Sequence, residues 1–182
     1  LLAIPFSLLL GAGHAFGQTG GGHTWSGAAD SDFYNDANWT SGNWPSGNAT
    51  FGPTGGSNTT VVRSDVDYDY LYGLYFTNTT DANGNYTISG NRSLFLANNV
   101  ATTTMTSGTL NEVVNNNITR NPDNGYNIGA SHDLTLNGVI SAGQTLVKNG
   151  LGTLTLGGTN TYTAATTVTA GTLEIGGAGS LG

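Results

Sequence analysis

The sequence predicts an all-β protein, a parallel β-solenoid with a Trp-rich N-terminal cap. Three observations carry this. "GTLTLGG" at Gly152 returns as "GTLEIGG" at Gly171, 19 positions later, and Leu134 and Leu136 precede Leu154 and Leu156 by 20. Such a period marks a stacked repeat. The segment between the copies, "TNTYTAATTVTA", is β-branched and poor in helix formers, which selects a β-solenoid over a leucine-rich repeat. Finally, only 8% of the 182 residues are charged while Gly numbers 29, so the solubility of a folded chain must come from Thr, Asn and Ser.

Charge narrows the function classes. The formal net charge is −7, and Arg63, Arg92, Arg120 and Lys148 are the only fixed cations. Four scattered cations make neither a nucleic-acid groove nor a patch for anionic lipid. Without Cys there is no disulfide, thiolate metal site or Cys nucleophile. No cofactor and no metal are expected.

The chain opens with "LLAIPFSLLLGAGHAFGQ", an apolar run followed by small residues, with Ala15 and Gly17 at the spacing a signal peptidase prefers. Residues 1–17 therefore read as the remnant of a cleaved secretory signal, too short for a permanent span, and the mature protein would begin near Gln18. The basic n-region and an initiator Met are missing, so the chain is expected to start inside its gene product.

Residues 18–56 form the expected cap. They hold Trp25, Trp39 and Trp44, with Gly, Asn, Asp and Pro interrupting every few positions, which predicts short extended pieces and turns. The three Trp would close the open end of the solenoid, or would stack on sugars as a glycan platform.

Residues 57–182 are the expected coils. "VVRSDVDYDYLYGLYF" alternates, placing Asp65, Asp67 and Asp69 on one side of a strand and Val66, Tyr68 and Tyr70 on the other. That acidic row is either a solvated edge that discourages aggregation or the carboxylate cluster of a carbohydrate-active β-helix, a lyase or glycosidase. "DANGN" at Asp81 reads as a turn, because Arg92 stands where a calcium loop needs Glu. A Ser-His-Asp triad would have to use His23 or His132, and in "SHD" at Ser131 the three side chains would alternate faces. From Ser93 onward, "SLFLANN", "GTLNEVVNN", "DLTLNG", "GTLTLGG" and "GTLEIGG" share apolar residues two apart followed by Gly or Asn. Gly and Asn are expected at corners needing positive φ or tight turns, and Thr at outward strand positions.

The stretch Leu146 to Gly182 resembles the autotransporter-associated β-strand repeat, also called the passenger-associated transport repeat. Its pattern is met by Leu146, Lys148, Gly150, Gly152 to Leu156, Asn160 to Tyr162, Thr167 and Gly171 to Leu173. Ala164 and Ala165 stand where members often carry Gly. The match covers about a fifth of the chain. The resemblance implies a right-handed β-helical passenger segment, the N-terminal fragment of a large bacterial surface or secreted protein. Its expected role is a non-enzymatic stalk or adhesive scaffold, with polysaccharide or a neighbouring cell-surface protein as partner. An open solenoid end would also let the chain self-associate.

Overall fold

A computed structural model describes residues 23–42, 45, 47–52, 59–63, 70–79, 85–91, 93–97, 100–102, 109–120, 125–127, 129–141, 143 and 145–182. After a leading strand, β1 (His23–Trp25), the chain runs through successive rungs. The first holds β2 (Asn48–Phe51), β3 (Thr60–Val62) and β4 (Tyr70–Leu71); the second β5 (Gly73–Phe76), β6 (Thr87–Ser89) and β7 (Leu94–Leu96). The third holds β8 (Val100–Thr102), β9 (Leu110–Val114) and β10 (Ile118–Arg120); the fourth β11 (Gly125–Asn127), β12 (His132–Leu136) and β13 (Ile140–Ser141). Then come β14 (Leu146–Asn149) with β15 (Thr153–Leu156), and β16 (Thr166–Val168) with β17 (Thr172–Ile175). In these last two rungs a parallel bridge from Thr159 to Ser180 stands on the third side.

Each rung sends its strands to three sheets in turn: β1-β2-β5-β8-β11-β14-β16, β3-β6-β9-β12-β15-β17 and β4-β7-β10-β13. Every strand pair is parallel, so the structure is a β-solenoid of about five turns. The register repeats so faithfully that inward residues form columns. One runs Val61, Ile88, Val114, Leu136, Leu156 and Ile175; another runs Ala49, Leu74, Val100, Tyr126, Lys148 and Val168. All but the final member of each are buried.

The rung shortens along the chain. Leu74 pairs with Val100 and Val100 with Tyr126, steps of 26, whereas Leu146 pairs with Thr166, a step of 20, and Leu154 with Leu173, a step of 19. The expected period near 20 thus belongs to the last rungs. "SLFLANN" shares the apolar spacing of the later units but not their sheet: Leu94 and Leu96 belong to β7, between β4 and β10, while the other four units supply β9, β12, β15 and β17. Period-2 alternation looks the same on every face.

Two kinds of glycine shape the corners. Gly150 and Gly171 have φ of 76° and 69°, where L residues are strained. Gly157 and Gly158 are not in that region, and their reason is close approach between rungs. A Cβ on Gly157 would lie 2.4 Å from Asn137 Oδ1, and one on Gly158 would lie 2.3 Å from the Gly138 carbonyl oxygen. The Ala164–Ala165 corner needs neither device; Ala165 keeps ordinary φ and its carbonyl accepts from Leu146 N at 3.0 Å.

At the N-terminal end, the segment around Asp32 adds an edge to β3: Phe33 N donates to Val62 O at 3.0 Å and Val62 N to Ser31 O at 2.7 Å. Buried Asn38 ties this segment down, accepting from Ala29 N and Asp30 N and donating to Asp30 Oδ1 and Asp32 O. The Asp30 carboxyl is held below its usual range, mainly by the Asp32 N–H it accepts. β2 pairs in parallel with β5, and residues 53–58, where the cap is expected to give way to the coils, lie outside the described residues.

Gly158→Ala must push rung backbones apart and is expected to cost about 2 kcal/mol or more. Gly143→Ala, whose added methyl would find, among the described residues, only Thr163 Oγ1 at 3.8 Å, should stay within about 0.5 kcal/mol of the parent in urea denaturation.

Candidate functional site

The sequence offered two surface candidates and the structure locates part of one. Asp65, Asp67, Asp69 and Trp44 lie outside the described residues. Trp25 and Trp39 are buried, edge to face at 5.2 Å, and Trp39 also meets Phe33 at 5.0 Å and Phe51 at 5.9 Å. The Trp39 Nε1–H donates to Phe33 O at 2.7 Å. Their ring faces are taken up by protein, so these two Trp have none to give a sugar.

Polar chemistry lies instead inside the solenoid. Among the described residues, Arg63, Glu112, His132 and Lys148 are buried charged or titratable side chains. Arg63, just after β3, sits in the cap. Its guanidinium lies 4.8 Å above the Phe33 ring and 5.8 Å from that of Tyr34, and Nη2 donates to Tyr34 Oη at 3.1 Å. A weakly hydrated planar cation can be buried on aromatic faces in this way.

Glu112 occupies the inward column of β9 with Leu110 and Val114 on either side. One carboxylate oxygen accepts from Tyr86 N, and the other meets His132 Nε2 at 3.3 Å. Burial pushes the Glu112 carboxyl above the ordinary range, opposed by His132 and the Tyr86 N–H. The Tyr86 hydroxyl donates to Gly52 O at 2.9 Å, and its pKa is pushed up to about 12 by burial and by the Glu112 charge.

His132 is thus an interior partner of Glu112. His23 pairs through Nδ1 with Ser41 Oγ at 2.5 Å, and among the described residues no carboxylate joins that imidazole. Neither His assembles a Ser-His-Asp triad there. Among the described residues no cluster of three or more His, Cys, Asp or Glu could hold a metal.

In the last rungs each motif position has a mechanical reason. Leu146 and Lys148 alternate inward on β14. The buried Lys148 ammonium crosses the corner and donates to the carbonyls of Asn149 at 2.8 Å, Gly150 at 2.9 Å and, one rung on, Ala170 at 3.1 Å. Burial lowers its pKa. Gly171 leaves room for that ammonium, since a Cβ there would lie 2.8 Å from Nζ. Asn160 joins three rungs: it accepts from Ile140 N at 2.9 Å and donates to Ser180 O at 2.5 Å. Buried Tyr162 ends on a hydroxyl contact with Thr166 Oγ1 at 2.8 Å.

A segment built this way, staple by staple between rungs, matches a known family model over residues 146–175. That model is the passenger-associated transport repeat, which these rungs resemble. No curated protein and no solved structure matches the chain. The transport-repeat match and the solenoid fit a passenger segment of an autotransporter, a class whose members are secreted or displayed at the surface. The repeat's Lys and Asn were recognisable in the sequence as motif letters, but their work as staples between rungs was not. Glu112 was also missed, although its place between Leu110 and Val114 put it on the apolar side of its strand.

Glu112 gives the fold a pH dependence of known sign. Its folded pKa is raised, so its contribution to stability is fully present below the unfolded carboxyl value and is lost as pH rises through the folded one. Glu112→Gln keeps an acceptor for Tyr86 N and cannot ionise. Unfolding midpoints in urea, taken from about pH 4 to about pH 8, should fall less with rising pH in the Gln variant than in the parent. Parallel curves would remove Glu112 from the account.

Proposed function

We propose that this chain is a non-enzymatic, adhesive part of an exported passenger: a stiff solenoid whose outward strand positions hydrogen-bond to polysaccharide or to neighbouring surface proteins. The observation that carries the reading is the transport repeat seated as successive rungs of the solenoid. Thr60, Thr87, Thr135 and Thr155 fall on one outward column of one sheet, interrupted by Val113 between Thr87 and Thr135. Neighbouring rungs are about 4.8 Å apart. Such a column offers a row of short hydroxyls with little side-chain entropy to lose on binding. The expected leader at residues 1–17 suits export.

The test is a polysaccharide array probed with the chain from Gln18 onward, scored for both retention and product release. Retention without depolymerisation is the expected outcome. Release of oligosaccharides would sink the non-enzymatic reading.

A further inference from the structure

The middle of the solenoid carries an acid and a base that no surface reaches. Glu112 on β9 and His132 on β12 both have 0% side-chain exposure, and Oε1 of one meets Nε2 of the other at 3.3 Å. The second carboxyl oxygen accepts from the backbone N–H of Tyr86, just before β6. One side-chain pair thus ties together the second, third and fourth rungs. Among the side chains described on neighbouring strands, the other titratable groups turned inward are Tyr126 on β11 and Lys148 on β14. The Lys148 ammonium is taken up by three carbonyls, and the groups that act on the Glu112 charge are His132 and Tyr86.

The corner that delivers His132 is poised. Ser131, directly before it, has φ of 55°, the one non-Gly residue in the left-handed region among the described residues. That conformation costs about 1 to 2 kcal/mol. The backbone bonds at this corner are long, His132 N to Gly129 O at 3.2 Å and Leu110 N to Ser131 O at 3.4 Å. At the far end of the same strand Asn137 N reaches Val114 O at 2.9 Å. The His132 side chain therefore anchors a strained turn whose own hydrogen bonds are weak.

Counting charge shows what the pair tolerates. With one dissociable proton it is neutral as a whole, either carboxylic acid against imidazole or carboxylate against imidazolium, and the two forms titrate as one unit. A second proton leaves a net positive charge in the dry interior, and loss of the first leaves a net negative one. Either is costly there. We propose that Glu112 and His132 form a one-proton latch: the corner at Ser131 stays closed while the pair holds one proton and opens when it gains a second or loses the first. The alkaline limb has the sign expected of Glu112, whose raised folded pKa makes its contribution disappear as pH rises.

The experiment is amide hydrogen exchange on the whole chain from about pH 3 to about pH 10, with each rate corrected for its intrinsic pH dependence. The Tyr86, Leu110 and His132 amides report on the latch, and the Gly157 amide, bonded to Leu136 O at 2.8 Å, is the reference. In the parent, protection of the three should pass through a maximum and fall at least tenfold on both sides relative to Gly157. Glu112→Gln should lose the alkaline limb and keep the acid one, His132→Gln should do the reverse, and the double variant should be flat. Ser131→Gly, which removes the left-handed penalty, should reduce opening about tenfold at every pH. A parent without a maximum would overturn the latch, and that profile decides even where a substitution prevents folding. Single variants that keep both limbs, or a pH dependence shared equally by Gly157, would overturn it too.

Discussion

Everything in this structure depends on parallel rungs stacking in register. Side chains alternate along a strand with period 2, so a slip of one residue on any rung would turn its whole inward set to water. The columns show how strictly this is met. Phe51 and Phe76 stack at 5.6 Å between ring centroids on adjacent rungs, and Leu134, Leu154 and Leu173 follow one another directly. No single rung has a second apolar layer to hide behind. Its core is the rung before and the rung after.

That dependence explains why interior polar groups come with partners on neighbouring rungs. Glu112 finds Tyr86 N on the preceding rung and His132 on the following one. Lys148 reaches Ala170 O one rung on, and Asn160 reaches both ways. A buried polar group is tolerated only when its hydrogen bonds are made. In a solenoid the nearest place to make them is along the stack. The polar residues then pin register, since a slipped rung would strand an ion or amide as well as a hydrophobe.

How much of this was legible follows from what leaves a periodic trace. Leu154 and Leu156 against Leu173 and Ile175 gave the stacking and its spacing, because identical environments select similar residues at equal intervals. The phase of "SLFLANN" was not legible, since an inward pair reads alike on any sheet. Trp25 and Trp39 were visible as a cluster, but sequence could not say which faces of the rings were covered. That depends on Phe33 and Phe51, brought together by the chain's return to the β3 edge. Glu112 and Lys148 did break an alternating pattern at inward positions, and a stricter reading of period 2 would have found both. Arg63 left no such trace, because its partners are aromatic rings about thirty residues away.

The shortening of the rung joins these points. In the longer rungs an amide ladder serves one corner, with Asn137 Nδ2 donating to Asn115 Oδ1 at 2.9 Å. One rung later the same place is Gly157, where the Asn137 amide fills the space a side chain would need. The double glycine of the repeat is therefore complementary to the rung beneath it as well as a feature of its own turn. Once a corner is glycine, the backbone can draw close, as Gly158 does to Gly138. The inter-rung work passes to a few fixed residues, Lys148 and Asn160 among them. A motif becomes recognisable where the structural solution has few alternatives. The strongest family signal accordingly falls on residues 146–175 and not on the longer, looser rungs before them.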